Sequence, residues 1–281
     1  MEKFCIVTNK SKDKNLEITS YIRKFLEERS KVVTFAEAVD KKMTVTNGRE
    51  FMSDIPEDSD CCIVLGGDGT MLEAARSLAF LDIPIIGINL GTMGYLTEIE
   101  KSGIDEALEK LIAGEYETED RMMLRGCIGD RKDYALNDIV VSRSASVQSI
   151  NYNIYVNNLL LCSYHADGII ISTPTGSTGY NMSAGGPIVE PSADMILLTP
   201  ICPHTLNSRS VVLRPDTKIE IEITGNFRNP QTQVVAAFDG SGILSMNPGD
   251  IIEIKRSKKT TKILRLNRVS FLEVLSKKFS M

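Results

Sequence analysis

The five residues Gly66-Gly67-Asp68-Gly69-Thr70 follow directly on the apolar run Cys61–Leu65. A second segment, Ser172-Thr173-Pro174-Thr175-Gly176-Ser177-Thr178-Gly179-Tyr180, follows another apolar run, Ile169–Ile171. Each reads as a strand that leads into a glycine- and hydroxyl-rich turn, where backbone N–H groups can converge on an anion. Two such turns enclosing an acidic residue point to an enzyme that handles nucleotides. The glycines beside Asp68 admit unusual φ and let a phosphate approach closely. A carboxylate in that place can accept a hydroxyl proton or orient a metal-bound phosphate. Aspartate ahead of a helix also serves as an N-cap, although a cap needs no glycines around it. No G-x-x-x-x-G-K-[ST] occurs in the chain, so the usual phosphate-loop lysine is missing.

Asn137-Asp138 interrupts the alternating run Tyr134–Val141. Consecutive polar residues there mark either a turn or bulge or an amide and a carboxylate able to grip base and ribose hydroxyls. Asp167 to Pro191 is rich in Gly, Ser and Thr. Thr175, Ser177, Thr178 and Ser183 supply short donors and acceptors, and Tyr180 a flat surface for a base. A flexible linker is the bland alternative, disfavoured by the apolar runs on both sides. The two histidines, His165 and His204, fit no Ser-His-Asp or metal-ligand spacing. His165 is the better candidate because it lies close to Asp167 in sequence.

Alternating apolar and helical stretches must position these residues. Phe4–Thr8, Cys61–Leu65 and Ile83–Ile88 read as buried strands, and Leu16–Glu28, Thr70–Ala79 and Ile104–Ile112 as helices. That order argues for a parallel sheet covered by helices. From Met122 onward, period-two strands dominate, as in a half-buried antiparallel sheet, with a hairpin turn at Asn157-Asn158. A helix is expected near Ser192–Leu197. The lysine-rich stretch Lys255–Lys262 reads as a solvated hairpin, and apolar character returns at Lys262–Leu266 and Phe271–Leu275. The expected fold is an α/β N-terminal domain plus an all-β C-terminal domain, with boundaries of 1–117 plus 256–281 and 118–255.

At 281 residues, with 42% hydrophobic and 25% charged side chains, the chain has the composition of a globular protein with a sizeable core. A formal net charge of -5 argues against nucleic acid and anionic membranes as partners. Six scattered cysteines have no zinc-like spacing, so no metal site is expected among them, and reduced thiols in a cytoplasmic setting are the simplest reading.

Taken in order, the motifs resemble those of the NAD kinase family. They are Gly66–Thr70, Asn89–Glu98, Asn137-Asp138, Asp167-Gly168, Ser172–Pro191, Leu198–Leu206 and Phe238-Asp239-Gly240. The likeness spans nearly the whole chain. It implies a β-sandwich-like C-terminal domain and a last segment that packs back on the first domain. It further implies phosphorylation of the 2′-hydroxyl of the adenosine ribose of NAD, by ATP with Mg²⁺ or another divalent metal, giving NADP. Asp68 matches the family's proton acceptor, with Gly69 beside it on the NAD side, and Gly66, Gly67 and Thr70 would meet the donor phosphates. Asn137 and Asp138 match the pair that holds ribose and adenine. Thr178, Tyr180 and Ser183 match positions around the adenosine, with Thr175 and Gly179 beside them. Asp167 and His165 match positions toward the nicotinamide half. The resemblance also implies a homodimer or homotetramer.

Asp138 stands where glutamate is usual, Gly179 where alanine is frequent and Ser241 where glutamine is often found. These departures bear on substrate affinity and on NAD-versus-NADH preference, not on the reaction type. A lipid kinase of the diacylglycerol or sphingosine type shares the Gly-Gly-Asp-Gly motif, and a dinucleotide sensor would bind NAD without turnover. The Asn137-Asp138 pair and the Thr175–Ser183 loop favour a nucleotide acceptor, and an intact Asp68 favours turnover.

Overall fold

The computed structural model describes residues 1–37, 55–91, 94–144, 148–205, 208–224, 233–267 and 270–280. The described chain falls into two compact units, one formed by residues 1–37, 55–121 and 260–280, the other by residues 122–259. Thr92 and Met93 of the Asn89–Glu98 motif lie outside the described residues, as does Leu206 of the Leu198–Leu206 motif.

The first unit alternates strand and helix: β1 (Lys3–Thr8), α1 (Glu17–Glu27), β2 (Val32–Glu37), β3 (Cys61–Gly66), α2 (Asp68–Leu78), β4 (Ile85–Asn89) and α3 (Ile104–Ala113). Its sheet is parallel in the order β2-β1-β3-β4. Every residue of β3 and β4 is buried, which is why both read as unbroken apolar runs: helices cover both faces of a parallel sheet. Ile63, Leu65, Ile86 and Ile88 pack with Ile22 and Leu26 of α1 and Leu108 and Leu111 of α3. Each fully buried side chain of this size contributes roughly 1.5–3 kcal/mol of transfer free energy.

The second unit is built from β5 (Glu117–Ile128), which begins in the first unit, β6 (Arg131–Ala135), β7 (Asp138–Arg143), β8 (Ile150–Val156), β9 (Leu159–Ala166), β10 (Gly168–Ser172), the short helix α4 (Tyr180–Ser183), β11 (Ile196–Ile201), β12 (Val211–Leu213), β13 (Ile219–Ile223), β14 (Val234–Phe238), β15 (Gly242–Met246) and the first part of β16 (Ile251–Arg265). One antiparallel sheet runs β12-β11-β10-β7-β14-β15, and in another β16 pairs with β13, β13 with β8 and β8 with β9. Alternate residues from both, among them Ile139, Ile169 and Phe238 from the first and Ile154, Ile221 and Ile252 from the second, share one core, so the unit is a β-sandwich. Asn157 and Asn158 both have positive φ, at 50° and 69°, as a two-residue hairpin turn of the primed type requires.

Strand β16 ends in the first unit, where Ile263 pairs in parallel with Ile85 of β4. The helix α5 (Phe271–Phe279) follows, opened by a capping box between Ser270 and Glu273. Its Phe271 ring stands 6.5 Å from that of Tyr95, and the Lys278 ammonium lies 4.5 Å from the Tyr95 ring centroid. The last segment therefore packs on the first unit.

Two local expectations are corrected. Ser192–Leu197 holds no helix; Ile196-Leu197-Leu198 instead open β11, buried between β10 and β12. Lys255–Lys262 is not a hairpin but the middle of the continuous strand β16, in which Ser257 and Thr261 point inward while Lys258 and Lys259 stay exposed. A strand can carry many lysines when they fall on its solvent side.

Candidate active site

In the first unit, β3 stops at Gly66 and α2 starts at once. Gly67 is the N-cap, with extended backbone, and Asp68 is the first helical residue. The aspartate is thus not the cap. Its carboxylate turns to a different loop: Oδ2 accepts from the Tyr95 N–H at 2.8 Å, and Oδ1 from the Leu96 N–H at 3.1 Å. Each oxygen keeps a second lone pair for another donor. Gly94 makes this approach possible, because a Cβ there would lie 1.8 Å from Oδ1 and 2.2 Å from Cγ of Asp68. Burial, and then the nearby Asp68 charge, push the Tyr95 phenol above its ordinary value. Asp68 is half-buried, Gly69 exposed and Thr70 buried. Gly66 is equally required, since a Cβ there would meet the Thr70 hydroxyl at 2.3 Å. Gly66 to Thr70 therefore run from the last residue of β3 straight into the first turn of α2.

In the second unit, Asn137 and Asp138 sit at the corner between β6 and β7. The break in the alternation is a bend at residues 136 and 137. Asp239 pins it. Its carboxylate accepts from the backbone N–H groups of Leu136 at 2.8 Å, Asn137 at 2.8 Å and Asp138 at 3.2 Å. The Asn137 Oδ1 is buried and has no hydrogen-bond partner, an acceptor of the kind a ligand hydroxyl or amine would satisfy. Asp138 is 5% exposed. Burial, with Asp239 adding like charge, raises its carboxyl to about 7.

The Ser172–Pro191 segment folds against this corner and is no linker. The Thr173 hydroxyl donates to the Leu136 carbonyl at 2.6 Å and accepts from the Gly176 N–H at 3.1 Å. Thr175–Thr178 form one 3₁₀ turn, and Tyr180–Ser183 a single helical turn. Gly176 sits so near the Asn137 carbonyl that a Cβ would come within 2.2 Å of it. A Cβ on Gly179 would lie 3.4 Å from Asn137 Nδ2 and 3.9 Å from Asp138 Oδ2, so Gly179 borders both polar side chains. Ser177 is structural: its hydroxyl exchanges hydrogen bonds with Val189. Thr175 is buried, Thr178 half-buried, and Tyr180 and Ser183 are exposed.

Asp167 stands apart from that corner's hydrogen bonds. It receives a bidentate pair from Arg143, Nε to Oδ1 and Nη2 to Oδ2, both 3.1 Å. His165 does not bond to Asp167; its Nδ1 lies 2.7 Å from Asn151 Oδ1, and its ring meets His204 edge-on at 4.8 Å. The histidine linked to Asp167 by hydrogen bonds is His204, through the Ser149 hydroxyl (3.3 Å to Nε2 and 3.5 Å to Asp167 Oδ1). Sequence reasoning gave no role to Gly94, Arg143 or Ser149. Asp239 carried a signal, the Phe238-Asp239-Gly240 motif, without a stated role.

The family model for the ATP-NAD kinase N-terminal domain matches residues 4–116, and that for the ATP-NAD kinase C-terminal domain residues 136–266. The chain is 44% identical over 286 residues to an NAD kinase of Lachnoclostridium phytofermentans, with 99% of each chain covered. It is 43% identical over 281 residues to an NAD kinase of Agathobacter rectalis, covering 99% of this chain and 98% of the relative. Among solved structures, an NAD kinase from Archaeoglobus fulgidus in complex with ATP superimposes with a TM-score of 0.77 at 25% identity, covering 99% of both chains. Yeast NADH kinase complexed with NADH shares the fold, with a TM-score of 0.81 at 23% identity, over 100% of this chain and 88% of that one.

Proposed function

The chain belongs to the NAD kinase family, and from that membership we propose how its residues divide the work. It is a phosphotransferase with an alcohol group as acceptor, converting NAD to NADP at the 2′-hydroxyl of the adenosine ribose, with ATP as donor. Asp68 accepts the hydroxyl proton as that oxygen attacks the γ-phosphorus and the bond to the ADP oxygen breaks. The observation that carries this role is the Asp68 carboxylate fixed by the Tyr95 and Leu96 N–H groups: a base held in one orientation needs no reorganisation at the moment of transfer.

Gly66, Gly67 and Thr70 receive the donor phosphates in the α/β domain, residues 1–117 with 256–281. Gly69 faces the acceptor. In the NAD-binding domain, residues 118–255, Asn137 and Asp138 hold the ribose and adenine. The unpartnered Asn137 Oδ1 supports that assignment. Thr175, Thr178, Gly179, Tyr180 and Ser183 line the adenosine side, and Asp167 and His165 the nicotinamide half.

Among the described residues no three His, Cys, Asp or Glu side chains gather as a ready metal site. The Asp68 carboxylate, whose oxygens each keep a lone pair beyond the Tyr95 and Leu96 bonds, would be the group the protein offers to Mg²⁺ brought by the triphosphate with its own waters. Bound there, the ion neutralises charge on the phosphate oxygens. The scattered thiols support a cytoplasmic setting. A homodimer or homotetramer draws support from the edge strand β9, where Leu159, Leu160 and Leu161 are 75%, 56% and 44% exposed.

A coupled assay for NADP, with purified protein, NAD, ATP and Mg²⁺, tests the reading. NADP formation that requires all three is expected. NAD binding without turnover would replace the kinase with a sensor, and phosphorylation of a lipid in place of NAD would replace the acceptor.

A further inference from the structure

We propose that Lys12 is a donor-phosphate ligand that supplies the cation missing from the glycine turn. The proposal rests on the reading that Gly66–Thr70 receives the ATP phosphates. After β1 the chain is tied down by Asn9: its N–H donates to the Leu65 carbonyl at 3.0 Å, and its own carbonyl accepts from the N–H groups of Lys12 and Asp13, each at 3.0 Å. The Asn9 Oδ1 accepts from the Ser11 N–H and hydroxyl, and its Nδ2 lies 3.4 Å from the Thr70 hydroxyl. The backbone that carries Lys12 is therefore anchored to the end of β3, beside the turn.

From there the Lys12 side chain reaches over two glycines from different loops. Its Nζ is 2.8 Å from the position a Cβ would take on Gly67 and 3.4 Å from that on Gly91. Gly67 caps α2 immediately before Asp68, and Gly91 follows β4. The carboxylate nearest in sequence, Asp13, is committed elsewhere, accepting from the N–H groups of Ile18 and Thr19 and from the Thr19 hydroxyl. Among the described residues no carboxylate forms an ion pair with Lys12. Lys12 is exposed, as most lysines are, yet its ammonium lies across bare backbone, in space that a side chain on Gly67 would fill.

Phosphoryl transfer is catalysed mainly by positioning and by neutralising the transferring oxygens. A lysine ammonium serves phosphate as a compact point charge. Here it would do what the lysine of a phosphate loop does, from a loop far upstream of the glycine turn.

The test compares Lys12→Met and Lys12→Arg with the parent, as full-length protein, for KM of ATP, KM of NAD, kcat and melting temperature. Lys12→Met is expected to raise the KM for ATP or lower kcat/KM for ATP by about ten-fold or more, the usual effect of losing a charged hydrogen bond. The KM for NAD should stay within about two-fold, the melting temperature should hold, and Lys12→Arg should restore a substantial part of the ATP term. An equal rise in both KM values, or unchanged kinetics, overturns the proposal. Thr70→Val separates the two levels of inference, because Thr70 is one of the residues assigned to the donor phosphates and valine keeps its shape while removing the hydroxyl. If Thr70→Val raises the KM for ATP while Lys12→Met does not, the assignment of Lys12 fails alone. If neither variant touches the ATP term, the donor reading of the turn fails with it.

Discussion

Gly94→Ala adds one methyl group at the point where the Asp68 carboxylate meets the 94–96 loop. A Cβ there would stand 1.8 Å from Oδ1, so the carboxylate or the loop must retreat by about 2 Å to reach ordinary contact. Either movement lengthens the bonds from Tyr95 N–H and Leu96 N–H, now 2.8 and 3.1 Å. Losing one charge-assisted bond is worth about 1.5–3 kcal/mol. A misplacement of about 1 Å at a reacting group costs on the order of 10²-fold in rate, or about 2.7 kcal/mol. The two routes agree, so kcat should fall about 10²-fold. The assay is NADP formation at saturating NAD and ATP, with circular dichroism melts as the check on folding. Because the methyl acts only through Asp68, adding it to Asp68→Asn should cost little more, which a double-mutant cycle measures. A folded Gly94→Ala protein with kcat within about three-fold of the parent would refute the view that this loop holds the base.

Asp68→Asn should bind NAD almost as the parent does and lose about 10²-fold or more in turnover; isothermal titration and the NADP assay together decide it, and turnover within a few-fold removes Asp68 from its role. Asn137→Ala should raise the KM for NAD by about ten-fold with the KM for ATP unchanged, and an effect confined to kcat would contradict its place on the acceptor. The Asp138 carboxyl, raised from its ordinary 3.8 to about 7, binds its proton more tightly folded than unfolded. Its contribution to stability is therefore fully present below about pH 4 and is lost as pH rises through 7. Urea melts across that window should show the parent losing stability relative to Asp138→Asn as pH rises, since Asn mimics the protonated carboxyl and does not titrate, whereas a constant difference would show that Asp138 titrates normally. Asp239→Ala removes the acceptor for three backbone N–H groups and should cost about 3 kcal/mol or more of stability; a melting temperature equal to the parent's would mean the corner holds itself.

Periodicity made most of the architecture legible, because β3 and β4 are buried on both faces and the sandwich strands on one. It failed where burial and composition disagree. Strand β2 begins with Val32, 55% exposed at the sheet edge, and gave no apolar run. Strand β15, Gly242–Met246, alternates buried and exposed residues in a stretch short enough to pass for a turn. The lysines of β16 hid a strand whose inward residues are Ser257 and Thr261. For the site, the glycine turns were readable because they are local. The groups that orient them were not: Asp68 is bonded to Tyr95, 27 residues away, and Asp239 to Asn137 across 102. Lys12 and Gly94 acquire meaning only when the sheet brings distant loops together.

Strand β16 has a consequence for biosynthesis. Its end lies beside β4 at Ile263 and Ile85, yet those partners are 178 positions apart in the order of synthesis. The ribosome thus releases the whole sandwich before the α/β unit receives its last strand. Domains commonly mature N-terminus first; here the unit that emerges first is the one completed last, because Gly87 and Asn89 of β4 bond to residues 98 and 99 while Ile85 waits for Ile263. The helix α5, which meets Tyr95 and so backs the loop that holds Asp68, arrives later still. A nascent or prematurely terminated chain would lack that support for its base.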